Sequence, residues 1–325
     1  MKTLLVTGGC GFIGSHFIKR FIKTHPDWKI VNLDKLTYSG NPQNTRELQN
    51  DPRYEFIHGD ICDSAVVESV VSRVQAIVHF AAETHVDRSI DKAEDFLMTN
   101  ILGTRVLLEA ARRRGIERFV HISTDEVYGS VLEGSVNEEA PLLPNSPYSA
   151  SKAAGDLLVR SYGITYHYPA ILVRASNNFG PNQYPEKVIP LFVTNLLEGK
   201  KLPLYGRGDN RREWIYVEDN CKAIELVFDQ GKQGEVYNVG AGNEMSNLDL
   251  AHAILKALGA REDRIESVTD RPGHDFRYCL DTTKIHLLGF RAEWTFEAAL
   301  ARTIQWYKEN QSWWQPLKQD KFTVK

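Results

Sequence analysis

Thr124-Asp125-Glu126 places a hydroxyl and two adjacent carboxylates at the end of an apolar run, Arg118-Phe119-Val120-His121-Ile122. A run of this kind reads as a buried strand, and in open α/β sheets ligands bind outside the carboxyl ends of strands. Capping of a following helix by Thr124 or Asp125 is the plainer reading when the triplet is taken alone. Tyr148 and Lys152 change the balance. They stand four residues apart in a segment of helical composition, so both face one side. A lysine ammonium beside a phenol favours the phenolate, a base for a sugar hydroxyl proton while hydride leaves the same carbon for a nicotinamide. Tyr-x-x-x-Lys is a common accident on helices, and it gains force only beside a dinucleotide fingerprint and a polar strand end.

That fingerprint opens the chain. Thr3 to Thr7 reads as a strand, followed by Gly8-Gly9-Cys10-Gly11-Phe12-Ile13-Gly14 and a helix to about Lys23. Gly9, Gly11 and Gly14 satisfy G-x-G-x-x-G, and Gly8, Gly11 and Gly14 satisfy G-x-x-G-x-x-G. Such a turn lets the backbone approach a pyrophosphate, which the free amides of the helix N-terminus bind. A second strand, Lys29 to Leu33, ends in Asp34, twenty residues past Gly14. An acid there accepts from adenine ribose hydroxyls and repels a 2′-phosphate, which predicts NAD over NADP, with Lys35 working against that preference. Strands at Tyr54–His58 and Ala76–Phe80 end in Gly59-Asp60-Ile61 and in Ala81-Ala82-Glu83-Thr84-His85-Val86-Asp87. His85 lacks the His-x-x-x-His or cysteine spacing of a metal site, so no metal is expected.

Strands alternating with helices through residue 175 predict an α/β fold, a doubly wound parallel sheet of Rossmann type. A smaller, partly interleaved α/β domain follows. The division predicted is 1–175 plus about 213–239 for the dinucleotide, and about 176–212 and 240–325 for the substrate. Loops around Arg212 and Arg271 suit an anionic substrate, because guanidinium matches phosphate oxygens in a fork, although either arginine alone reads more simply as an ion-pair partner. A C-terminal helix is expected from about Phe296 to Glu309, with Trp313 and Trp314 packing after it.

With 325 residues, 42% hydrophobic and 25% charged, the composition is that of an ordinary globular protein. A net charge of -3 argues against a nucleic-acid or anionic-membrane partner. Arg112-Arg113-Arg114 reads as a solvated helix end. Cys10, Cys62, Cys221 and Cys279 are widely spaced, which fits a reducing cytosol. Met1-Lys2 leads straight into a strand, without a signal peptide, and no apolar run approaches the ~20 residues that span a bilayer. The expectation is a cytoplasmic protein.

Taken together, these motifs resemble the extended short-chain dehydrogenase/reductase family and, within it, the dTDP-glucose 4,6-dehydratases. The resemblance covers essentially the whole chain. It rests on Thr7 to Gly14, Asp34-Lys35-Leu36-Thr37-Tyr38, Ala81 to Asp87, Ser123-Thr124-Asp125-Glu126-Val127-Tyr128-Gly129, Tyr148-Ser149-Ala150-Ser151-Lys152 and Arg271-Pro272-Gly273-His274-Asp275. It implies oxidation of glucose at C4 by tightly bound NAD, with Tyr148 taking the O4 proton, aided by Thr124 and Lys152. Glu126 then removes the C5 proton, Asp125 protonates the departing C6 hydroxyl, and hydride returns to C6 and a proton to C5, giving dTDP-4-keto-6-deoxyglucose. Neighbouring carboxyls in opposite protonation states suit this elimination.

The resemblance further implies that Gly8, Gly11, Phe12, Ile13, Gly14 and Asp34 surround NAD. Lys35, Thr37, Asp60, Ile61, Ala81, Ala82, Thr99 and Asn178 would join Tyr148 and Lys152 there. Thr84, Thr124, Asn177 and Lys187-Val188-Ile189-Pro190 would line the sugar-nucleotide site. Pro203, Tyr205, Arg212, Asn243, Asp270, Arg271 and His274 would complete it. The family is usually a homodimer, built here from residues 91–114 and the Tyr148 helix. Cell-wall rhamnose and secondary-metabolite sugars share the step. A 4-epimerase of the same fold would leave Asp125 and Glu126 without a task. A silent NAD-binding protein would have lost Tyr148, Lys152 or the carboxylates.

Overall fold

Leu4, Leu5 and Val6 are completely buried, and the strand they form lies inside a sheet covered on both faces. The computed structural model describes residues 1–319. Six strands come first: β1 (Lys2–Thr7), β2 (Trp28–Asp34), β3 (Tyr54–His58), β4 (Ala76–His79), β5 (Arg118–Thr124) and β6 (Ala170–Ala175). Then follow β7 (Asn177–Phe179), β8 (Leu202–Tyr205), β9 (Arg211–Tyr216), β10 (Val236–Val239), β11 (Asn243–Ser246) and β12 (Ile265–Val268).

The large sheet has seven strands in the order β10-β6-β5-β4-β1-β2-β3. Every neighbouring pair in it is parallel. The order reverses beside β1, where Thr7 is flanked by Leu33 and His79. A crevice opens at such a switch point because the connections depart to opposite faces. Alternate residues of β1 enter different cores, as the two-residue period of a strand requires. Leu5 joins Val70, Leu107 and Val159 of the helices on one face. Leu4 and Val6 join Phe17, Phe21 and Ile224 on the other. There the Phe12–Thr24 helix meets the Val217–Gln230 helix, with Phe21 edge-on to Phe228 at 5.2 Å.

This second core runs on without a break to Phe192, Ile254, Tyr307 and Trp314. It therefore also carries the smaller sheets, β11-β9-β7 and β12-β8. By its pairing β9 belongs with β7 and β11. The C-terminal helix spans Phe296–Glu309, as its pattern predicts, while 320–325 of the expected second domain lie outside the described residues. Trp313 and Trp314 pack, donating their indole N–H groups to Asn44 Oδ1 at 3.0 Å and to the Tyr307 carbonyl at 2.7 Å.

One stretch departs from expectation. Residues 91–114, expected as one of the two dimer helices, do not form one regular helix; a π-helical run, Leu97–Gly103, precedes the α-helix Thr104–Arg113. Asn100 lies within that run, with its amide donating to the Glu83 carbonyl and to Ser151 Oγ. Widened turns of this sort adapt a helix to side-chain demands that apolar spacing does not register.

Candidate active site

The crevice is built first from the turn after β1. Gly8 has φ +71, and a Cβ there would lie 2.6 Å from the Ala81 amide nitrogen. A Cβ on Gly14 would lie 2.4 Å from the Gly8 carbonyl oxygen and 2.9 Å from Gly9 Cα. Gly8, Gly11 and Gly14 line the cleft, so G-x-x-G-x-x-G is the spacing that faces it. Gly9 instead donates its amide to Asn32 Oδ1 at 3.0 Å. The Phe12–Thr24 helix has no capping side chain and no acid in its first turn, leaving its first amides for an anion. Gly14→Ala should cost about 1–3 kcal/mol through overpacking, read as loss of NAD from the purified protein; full retention would remove Gly14 from the cradle.

Asp34 closes the same corner. Its carboxylate accepts from the Cys10 amide at 2.8 Å and the Leu36 amide at 2.8 Å, tying the glycine turn to the exit of β2. Each oxygen keeps lone-pair capacity for a further donor. Burial beside this carboxylate pushes the Cys10 thiol up to about 12. Phe12, Ile13, Lys35, Thr37, Asp60 and Ile61 line the same cleft. So do Ala81, Ala82, Thr99 and Asn178. Lys35 Nζ pairs with Asp60 at 2.7 Å instead of standing free beside Asp34. Ser123 Oγ, Asn177 Oδ1 and Asn178 Oδ1 are buried and have no hydrogen-bond partner among the described residues. Open amides, an acid at the strand end and unsatisfied polar atoms on the wall fit a dinucleotide.

The candidate catalytic side chains lie along the same cleft. Thr124, Glu126, Tyr148 and Lys152 line it. The helix Pro147–Tyr166 starts with a capping box between Ser146 and Ser149 and has proline in its first turn, which fixes Tyr148 at the helix start. Tyr148 is 7% exposed and Lys152 5%. Spacing predicts that Lys152 lowers the phenol pKa, but the net direction in the structure is the opposite. Burial, and next the Glu126 charge, raise it well above its ordinary value, while a hydrogen bond with the Thr124 side chain pulls it back. Lys152 donates to the Ile122 carbonyl at 2.7 Å. Burial pulls its ammonium down to about 8, against the opposing charge of Asp156.

The carboxylates separate by surroundings. Both are raised, chiefly by burial. Glu126 feels the cations Arg271, Arg212 and Lys187, which favour its charge. Asp125 is 2% exposed and feels the carboxylates Glu126 and Glu213, which hold it well above the ordinary range. Its Oδ2 has no hydrogen-bond partner among the described residues. Glu126 is thus the readier base, and Asp125 the readier acid.

Thr84, Asn177 and Lys187 also line the cleft. Tyr205, Asp270, Arg271 and His274 gather beside it around Asp87. Arg271 Nη1 and the Tyr205 hydroxyl donate to Asp87 at 3.1 and 3.0 Å, and His274 Nδ1 lies 2.6 Å from Asp270 Oδ1. Arg271 Nε is buried without a partner among the described residues, so one donor of its fork remains to be satisfied. Arg212 is spent on the carbonyls of Arg211 and Asp275, over the Tyr278 ring. Val188, Ile189, Pro190, Pro203 and Asn243 do not line the cleft. Ile189 is fully buried, Pro203 pairs with Glu266 across β8 and β12, and Asn243 pairs with Trp214 across β11 and β9. Sequence reasoning missed Asp87, Asp275 and Glu213 as partners; the first two lie inside motifs already singled out, whereas Glu213 carries no local signal. His85 caps the Val86–Asp91 helix by accepting from the Arg88 amide. No group of three or more potential metal ligands occurs among the described residues.

Residues 5–303 match a family model described as GDP-mannose 4,6 dehydratase. A dTDP-glucose 4,6-dehydratase from Streptomyces niveus is 54% identical over 320 residues, covering 97% of this chain and 95% of that relative. The crystal structure of a dTDP-glucose 4,6-dehydratase from Streptomyces venezuelae, with NAD bound, is 51% identical and matches with a TM-score of 0.96 over 97% of this chain and 100% of that one. A UDP-glucose 4-epimerase from Thermus thermophilus, in complex with NAD, shares the fold at a TM-score of 0.88 but only 30% of the sequence, over 95% of this chain and 99% of that one.

Proposed function

Because the chain belongs to the dTDP-glucose 4,6-dehydratase family of extended short-chain dehydrogenases/reductases, we propose that it is an NAD-dependent hydro-lyase acting on dTDP-glucose. The product is dTDP-4-keto-6-deoxyglucose, a step of deoxysugar biosynthesis. One observation carries the reading: two carboxyls of unequal environment stand beside Tyr148, and a 4-epimerase has no task for them.

When bound, NAD supplies an acceptor for the C4 hydride and its source for the return to C6. The protein's residues handle the protons. Tyr148 accepts the O4 proton, with the Thr124 hydroxyl favouring its phenolate. The C4 ketone acidifies C5–H, and Glu126, kept basic by its three cations, takes that proton. Asp125, kept protonated by burial and by neighbouring carboxylates, delivers a proton to the C6 hydroxyl as water leaves, and a proton returns to C5 when the hydride is restored to C6. Arg271, held by Asp87, supports the diphosphate through its unsatisfied nitrogen.

The finer assignments belong to the same proposal: a cofactor-binding unit on the large sheet, a sugar-nucleotide unit on the smaller ones, a cytoplasmic location and a homodimer. All four cysteines are free, and no helix among the described residues is long and apolar enough to cross a membrane. Leu97, Met98, Leu157, Ile164 and Tyr166 expose apolar surface on the π-helical run and the Tyr148 helix, which suits self-association.

The test is incubation of the purified protein with dTDP-glucose, without added cofactor, followed by mass spectrometry. Loss of one water from the sugar nucleotide is expected. An unchanged mass with a 4-epimer detected by NMR would overturn the dehydratase reading.

A further inference from the structure

The Arg88 guanidinium joins two segments that meet at the cofactor cleft. The turn after β2 presents Thr37 and Gly40, with Tyr38 between them. Tyr184, Glu186 and Lys187, from a segment distant in sequence, line the same cleft. Arg88, from the short Val86–Asp91 helix, reaches both. Its guanidinium carbon lies 3.8 Å from the centre of the Tyr38 ring. Its Nη2 and Nε donate to Glu186 Oε2 at 2.9 and 3.2 Å. Tyr38 also meets Tyr184 edge-on at 5.3 Å. The Glu186 side chain is 4% exposed and that of Arg88 28%, so the pair is largely shielded from screening ions. Cation–π contacts likewise strengthen when desolvated.

We propose that Tyr38, Arg88 and Glu186 form a clasp across the cleft that sets how long the dinucleotide stays bound. They are positioning residues, since none is placed at the reacting carbons. This rests on reading the cleft as an NAD site. A cofactor regenerated in each turnover has no need to leave, and withdrawing it requires the Tyr38 and Glu186 segments to part. Parting them breaks the ring contact or the charge-assisted pair, which raises the barrier to release more than it strengthens any contact with the cofactor. An aromatic–cation–carboxylate stack also joins three segments distant in sequence, 37–40, 84–88 and 184–187, and Lys187 Nζ adds a tie to the Thr84 carbonyl at 2.6 Å.

The experiment follows NAD release from the purified holoenzyme, diluted into buffer containing an NAD-degrading enzyme, by the NAD remaining on the protein over time. Arg88→Ala and Tyr38→Ala should each release NAD at least about tenfold faster than wild type, the loss of roughly one strong desolvated contact. Arg88→Lys, which keeps the charge without the fork, should fall between. Turnover lost on dilution should return as NAD is titrated back, and the thermal midpoint of the NAD-saturated variants should match wild type. Release at the wild-type rate in both alanine variants would sink the clasp. Faster release accompanied by a lowered midpoint at saturating NAD would also count against it, since general destabilisation would then explain the rate. A wild-type protein that neither carries NAD nor takes it up would overturn the cofactor reading beneath it.

Discussion

Glu126→Gln is expected to slow dehydration by about 10²–10⁴-fold, the usual worth of a positioned proton-transfer group. The amide keeps the size of the side chain and removes its basicity. Oxidation at C4 precedes the step in which Glu126 acts, so the substitution should leave the sugar stalled as the 4-ketone, with near-ultraviolet absorbance of enzyme-bound NADH building up. Undiminished release of water would take Glu126 out of the mechanism. The pH profile sharpens the test. Glu126 must be unprotonated to act and its pKa is raised, so activity falls as pH drops through that raised value. Asp125 must be protonated and is raised further, so activity falls as pH rises through its value. The two limbs belong to the pair as a unit. Both should lie above the ordinary carboxyl range, and Glu126→Gln should flatten the acid limb of whatever turnover remains.

Tyr148→Phe should abolish the earlier step, again by about 10²–10⁴-fold. Burial and the Glu126 charge make the phenol reluctant to ionise, so the base depends on the Thr124 hydrogen bond and on its fixed position at the helix start. Phenylalanine removes the oxygen and keeps the ring against Phe96, whose centre lies 6.3 Å away. Mixing the variant with dTDP-glucose should give no early NADH signal, unlike Glu126→Gln, which should give one that persists. A normal burst from Tyr148→Phe would show that another group takes the O4 proton.

Much of this was legible in the chain. The strand at Arg118–Thr124 and the glycine turn announce themselves because buried parallel strands are apolar throughout and a phosphate-binding turn tolerates no Cβ at Gly14. The Pro147–Tyr166 helix carries its own start signal. What stayed hidden depends on desolvation or on partners remote in sequence. Spacing placed Lys152 beside Tyr148, yet the sign of the phenol shift is set by burial, which no interval of four residues reveals. Arg88 and Glu186 meet across almost a hundred positions, and no local pattern links them. Ile189 and Pro190 are buried at an apolar helix start, so their side chains pack into the core and any share they take in the site falls to the backbone. The π-helical run escaped because apolar periodicity reports which face is buried and not how many residues each turn holds.

The placement of β10 has a consequence for how the protein is made. This strand seals the free side of β6 only after β7, β8, β9 and the Val217–Gln230 helix have been laid down. A chain emerging from the ribosome can assemble the six earlier strands while the edge of β6 still offers unpaired backbone groups. Such an edge is an invitation to another chain, and distant pairings close slowly. A chain stopped before Val236 should therefore aggregate although most of its large sheet is already encoded.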